Sequence, residues 1–280
     1  MALGSLSVSR FVEHLTDAWS ELWNGGDARS AAMVYAPDVV FWNVGRGPGA
    51  EVSGTDALIG ERFAFLARAD RLGVLVRRAV VDDGLAVVEF VIAADECGAP
   101  VAAPGCAWWW FDDDGRIARE EWWFDRERWA PADPAVAGHD VESRADDPGP
   151  VARRELAEGV VRALDASPAA AVARFWAHDA VVDLMGGDFA AGREVVLRGR
   201  TALRDAAARE AADLVGCATT VLSVGGAGPV VAWTQVTEGT TPSGTRRAVP
   251  SARVCTLDLH GRIAGEHRYV LRAWPDRAPR

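Results

Sequence analysis

The 280-residue sequence contains no lysine: all 30 basic residues are arginine. Codon bias in a GC-rich genome is the simplest cause. The absence excludes a lysine Schiff base anywhere in the chain. Cysteine is scarce too. Cys97, Cys106, Cys217 and Cys255 show no CxxC spacing, and with no secretory leader in front of them they read as reduced, buried cytoplasmic thiols. No run approaches the ~18 uninterrupted apolar residues needed to span a bilayer, so no membrane partner is expected. The P-loop, a GxGxxG after a strand and HExxH are all missing, and no two His or Cys stand at ligand spacing, so neither a cofactor nor a metal is expected. Positive charge falls short of negative, leaving a net charge of −10. A field of that sign repels phosphate backbones and argues against nucleic acid as a partner.

Apolar residues make up 49% of the chain and charged residues 25%, the mix of an ordinary globular protein. At about twice the length of a typical domain, such a chain buries a core without disulfide or metal staples. Tryptophan is abundant, with 12 residues in all and nine before residue 130. In Trp108-Trp109-Trp110, strand alternation puts the outer two on one face and Trp109 on the other. A partner domain is expected to cover at least one of those faces, because exposed aromatic patches are costly.

One pattern occurs twice, offset by about 141–146 residues. Each copy opens with an amphipathic helix, carrying Leu15, Trp19 and Leu22 in the first and Leu156, Val160 and Leu164 in the second. The first helix ends at Asn24-Gly25, and Asp27 caps a short second helix. In the second copy Ser167 is the expected cap, with Pro168 at the first helical position. "YAPDVVFWNV" then matches "WAHDAVVDLM", "VSGTDAL" matches "LRGRTAL" at a third helix, and "DGRIARE" matches "HGRIAGE" at a late turn. Between the second and third of these matches lie β-rich runs at 72–82, 85–94 and 104–112, and at 217–224, 229–237 and 247–259. The composition of 131–149 is that of an exposed linker. The spacing therefore predicts two α+β modules, 1–130 and 150–280, each with about three helices over a mostly antiparallel sheet.

This order resembles the nuclear-transport-factor-2-like superfamily, in particular its SnoaL-like, polyketide-cyclase branch. The resemblance rests on "ELWNGGD", "YAPDVVFWNVG", "GTDAL" and "GRIAREEWWFD" and covers almost the whole chain, twice. It implies a cone-shaped cavity between a curved sheet and its helices. It also implies that the modules pack through their sheets, and that a homodimer is within the family's habits. The family hosts isomerases, cyclases, dehydratases, hydrolases and non-catalytic proteins, so the fold does not give the reaction.

Alternation places Phe41 and Asn43 on one face of their strand, with Val182 and Leu184 at the matching positions of the second copy. On the last strand Glu120, Trp122 and Phe124 share a face. Similarity to limonene-epoxide hydrolase puts Asn43 at a water-holding asparagine but Trp122 at the catalytic aspartate, which disfavours epoxide hydrolysis. Similarity to ketosteroid isomerase puts Trp19 at its oxyanion-binding tyrosine, and Ala107 and Arg253 at its mid-sheet aspartate, so neither isomerase carboxylate is kept. The candidate catalytic residues are therefore Glu120, as proton carrier, and Asn43, as the group that orients an oxygen. Trp19, Phe41, Trp109, Trp122 and Phe124 would line the substrate pocket; their other reading is plain core packing. Glu121 points outward unless a bulge exchanges the faces. Glu266, the counterpart of Glu120, lies beside a neutralising Arg268. The expected activity is a cofactor-independent cyclisation, isomerisation or dehydration of an apolar small molecule in specialised metabolism. The alternative is a non-catalytic small-molecule-binding or scaffold protein.

Overall fold

The computed structural model describes residues 5–25, 27–67, 70–82, 84–96, 99–124, 130–131, 143, 145–188 and 193–271. The chain divides into two compact units, 1–137 and 138–280. Most of the expected linker, including 132–142, lies outside the described residues, as does Cys97.

The first unit runs α1 (Ser5–Trp23), α2 (Ala31–Val34), β1 (Tyr35–Asn43), β2 (Val52–Ser53), α3 (Thr55–Leu66), β3 (Asp70–Asp82), β4 (Leu85–Glu96), β5 (Ala99–Phe111), β6 (Ile117–Trp123) and β7 (Ala130–Pro131). Its sheet has the order β2-β1-β6-β5-β4-β3, with β7 on β5. The second unit runs α4 (Gly149–Ala166), α5 (Pro168–Phe175), β8 (Trp176–Asp188), β9 (Arg193–Arg198), α6 (Gly199–Asp213), β10 (Val215–Gly225), β11 (Val230–Thr240), β12 (Arg246–Leu257) and β13 (Ile263–Val270). Its sheet order, β10-β11-β12-β13-β8-β9, repeats the first sheet read from its other edge. In both sheets one pair is parallel, β1 with β6 and β8 with β13, and Tyr35 opposite Ile117 corresponds to Trp176 opposite Ile263. Two tandem α+β modules of one topology are the result.

Local chemistry explains the elements. On α1, Leu15, Trp19, Leu22 and Trp23 are buried while Glu13, His14, Asp17 and Glu21 face water, the pattern of a helix lying on a sheet. The helix stops where Gly25 takes φ +92°. There Asn24 ties the helix end to β3, its Nδ2 donating to the Val74 carbonyl at 3.0 Å and its Oδ1 accepting from the Val74 N–H. Arg62 of α3 donates from Nε to the Leu22 carbonyl, one of the carbonyls a helix end leaves unpaired. Asp27 accepts from the Arg29 N–H as expected. Ser167 does not cap with its side chain. It is exposed, and its backbone carbonyl, accepting from the Ala171 N–H, opens α5 instead. The late turns are superimposable in their bonding: Asp112 N–H to Arg116 O and Gly115 N–H to Asp112 O recur as Asp258 N–H to Arg262 O and Gly261 N–H to Asp258 O.

Gly54 precedes α3 and Gly199 opens α6, with φ of +87° and +77°. A Cβ added at Gly54 would meet the Pro37 carbonyl at 3.7 Å, and one at Gly199 the His178 carbonyl at 3.5 Å. These are ordinary contacts, so the glycines are required for their backbone angles and not for space. Gly54→Ala and Gly199→Ala should each lower stability by about 1–3 kcal/mol in urea denaturation. Because the two sites sit in separate units, their costs should add.

Candidate functional site

The first unit packs its core around a carboxylate. Glu120 of β6 is fully buried, with no exposed surface. Its Oε1 accepts three indole N–H bonds, from Trp19 at 2.8 Å, Trp109 at 2.9 Å and Trp122 at 2.6 Å. Its Oε2 accepts from the Tyr35 hydroxyl at 2.5 Å, and Trp23 Nε1–H donates to that hydroxyl at 3.2 Å. Four residues on α1, β1, β5 and β6 thus converge on one group, and a fifth, Trp23, supports one of them. Each donor follows from its element. Trp19 stands on the buried stripe of α1, Trp109 pairs with Glu120 across β5–β6, and Trp122 lies two residues further along the same strand face.

None of these partners carries a charge. A buried carboxylate resists ionisation, while donors favour its ionised form. Burial wins here: the Glu120 carboxyl is pushed up from an ordinary 4.5 to about 7, against the pull of the Tyr35 and tryptophan donors. The Tyr35 hydroxyl is likewise raised, first by burial and then by the Glu120 charge.

Around this centre the rings interlock. Trp23 and Trp122 stand 4.3 Å apart between centroids, Phe90 and Trp122 5.2 Å, Trp19 and Trp109 5.3 Å, and Phe41 and Trp122 5.5 Å. Phe124 touches the edge of Trp122 at 6.2 Å. The expected pocket-lining residues Trp19, Phe41, Trp109, Trp122 and Phe124 therefore come together, with their rings packed against one another. Asn43 ends β1, 5% exposed, and its Oδ1 accepts from the Gly45 N–H at 3.1 Å. That oxygen is committed to its own turn. Glu121 lies on the other face and pairs with Arg119 at 2.7 Å.

Sequence reasoning missed Tyr35 and Trp23. Tyr35 shares the parity of Phe41 but is the first residue of β1, directly after α2, where alternation does not yet mark a strand. Trp23 closes the α1 stripe one residue after Leu22, and its bond to Tyr35 and its ring contact with Trp122 give it a role.

The second unit buries a carboxylate at the matching place and holds it differently. Glu266, 1% exposed, accepts from Arg253 Nη1 at 2.8 Å, Arg268 Nε at 2.7 Å and Trp176 Nε1 at 3.0 Å. Strand register equates Arg253 with Ala107, Arg268 with Trp122 and Cys255 with Trp109. Two guanidinium groups more than offset burial, and Glu266 falls to about 2. The expected neutralisation by Arg268 is present, and Arg253 adds to it.

Each unit is thus an α+β module whose helices cover one face of an open mixed sheet, around a central buried acid. Residues 16–120 match the SnoaL-like domain family, so the first unit is a SnoaL-like module, and the second repeats its topology. No curated protein sequence matched the chain. Among solved structures, a Catenulispora acidiphila protein with a ketosteroid isomerase-like fold, in complex with trimethylamine, is 19% identical over 39% of this chain and 82% of its own, with a TM-score of 0.34. A Sinorhizobium meliloti protein provisionally named a polyketide cyclase is 23% identical over 39% and 93%, with a TM-score of 0.33. A Mycobacterium tuberculosis protein in complex with estradiol-17beta-hemisuccinate is 16% identical over 43% and 98%, with a TM-score of 0.36. Among the described residues, no helix is long and apolar enough to cross a membrane.

The two acids should respond oppositely to pH. Glu120 holds its proton more tightly folded than unfolded, so its contribution to stability is full below pH 4.5 and is lost as pH rises to about 7. That difference is worth about 3 kcal/mol. Glu266 contributes above pH 4.5 and loses its effect as pH falls toward 2. In urea denaturation followed by tryptophan fluorescence, Glu120→Gln should fold and flatten the loss between pH 4.5 and 7. Glu266→Gln should cost about 3–5 kcal/mol at pH 7, because it leaves the buried Arg253 without its bonded counter-charge and Arg268 with only the rim carboxylate of Glu210.

Proposed function

We propose that the first module is a cofactor-independent acid–base enzyme that cyclises, isomerises or dehydrates an apolar small molecule of specialised, polyketide-like metabolism. One observation carries this reading: Glu120 is a buried acid held only by neutral donors and poised near neutrality. Such a group exchanges its proton at working pH, whereas Glu266, clamped by arginines, stays ionised. In this reading Glu120 moves the proton, and Asn43, with Oδ1 occupied, presents its Nδ2–H to a substrate oxygen. Trp19, Phe41, Trp109, Trp122 and Phe124 shape the pocket around a flat or polycyclic substrate. The ligand enters by displacing rings, since none of Glu120 is exposed. The outermost are Phe41 and Phe65, at 4% and 9% exposure.

The same ring packing favours a second reading, in which the protein binds a small molecule or serves as a scaffold without catalysis. As partners we propose the apolar ligand and a second copy of the chain. The reduced thiols of Cys106 and Cys217 fit a cytoplasmic protein.

The deciding experiment incubates the full chain in D2O, from pH 4 to 9, with a panel of apolar polyketones and hydroxyketones. Mass spectrometry reads turnover and deuterium uptake. The enzyme reading expects a titration near pH 7 and a ~10²–10⁴-fold loss of turnover in Glu120→Gln with affinity little changed. Binding of panel members without turnover in the wild type would select the second reading.

A further inference from the structure

The second module departs from the first at most positions around its buried acid. Strand register equates Phe90 with Gln235 and Gly105 with Ser251, as well as Ala107 with Arg253 and Trp122 with Arg268. On the opening helix the repeat offset puts Val160 and Leu164 where the first copy has Trp19 and Trp23. On the face turned toward the helices the rings of Trp19, Trp23, Phe90 and Trp122 have thus given way to smaller or polar side chains, polar groups stand in place of Gly105 and Ala107, and one ring, Trp233, stands in place of Val88.

Charge does not balance there. Arg253 and Arg268 are 5% and 6% exposed, yet Glu266 is the one carboxylate that both reach. Arg268 draws its second carboxylate from the rim, donating from Nη1 to both oxygens of Glu210 on α6 at 2.9 and 3.0 Å. The Glu210 side chain is 51% exposed. Among the described residues Arg253 has no bond to a second carboxylate and feels Glu210 only at longer range. It donates through Nη1 to Glu266 and lies over the Trp233 ring at 5.8 Å, and among the described residues its buried Nε finds no acceptor. A guanidinium offers five N–H donors in a fixed fork, and leaving them desolvated and unpaired is costly.

We infer that the second module is a binding site for an apolar carboxylate, whose anionic end pairs with Arg253 and Arg268 and takes over the place of Glu210. A planar, bidentate carboxylate matches the guanidinium fork. The apolar remainder of the ligand would pack on Trp233 and Leu184. This site is separate from the Glu120 centre and independent of the activity proposed for it. No covalent step is involved, and Glu266 keeps its charge throughout.

Isothermal titration calorimetry on the full chain tests the assignment, with 2-naphthoate and octanoate as probes and their primary amides as neutral controls. One carboxylate should bind at one site per chain, with its amide at least tenfold weaker. Glu210→Gln, at an exposed position that leaves the core intact, should tighten carboxylate binding at least threefold by freeing Arg268. Arg253→Met, with folding checked by circular dichroism, should weaken it at least tenfold, while Glu120→Gln leaves it unchanged. Equal binding of carboxylate and amide, no binding of either carboxylate, or a Glu210→Gln protein with wild-type or weaker affinity would overturn the proposal.

Discussion

A carboxylate with no access to water must be solvated by the protein that buries it. This chain meets that demand twice, at Glu120 and at Glu266. Burying an uncompensated charge is prohibitive, so each acid recruits donors from the elements that surround it. The packing of each module is organised around the answer. In the first, α1, β1, β5 and β6 are brought into register by donors that share one acceptor group. In the second, β12 and β13 supply the arginines and β8 supplies Trp176.

The two answers have different consequences. Indole N–H groups satisfy the lone pairs of Glu120 without countering its charge, so desolvation prevails and the group titrates near neutrality. They also bring large rings with them, and those rings pack the space between sheet and helices. Guanidinium groups counter the charge of Glu266 directly and hold it ionised. They occupy less of the core with rings, but they carry more positive charge inward than one glutamate offsets. One module therefore holds a proton that it can exchange, and the other an excess of cationic donors.

The all-arginine composition bears on this. Arg62 and Arg200 each serve backbone carbonyls at element ends, and Arg253 and Arg268 share a carboxylate. A flexible ammonium would not reproduce the fixed fork that lets Arg268 grip Glu266 and Glu210 together.

The module repeat, its element order and most strand positions were legible in the sequence, because they rest on local signals: the stripe on α1, the glycines at the starts of α3 and α6, and the repeated turn at Asp112 and Asp258. The inward face of β6 was legible too, since alternation alone separates Glu120 from Glu121. The side chains that hold Glu120 were not. Tyr35 lies 85 residues from Glu120 and Trp19 lies 101 away, and no periodicity ties residues at such distances to one acceptor atom. The same holds for Arg253, which aligned with a lost aspartate yet turned out to clamp Glu266. Sequence determined which residues face inward, because a strand has a period of two and a helix of 3.6. Only the tertiary structure decided which of them meet, because that depends on how far each strand and helix slides past its neighbours before the buried acid is satisfied.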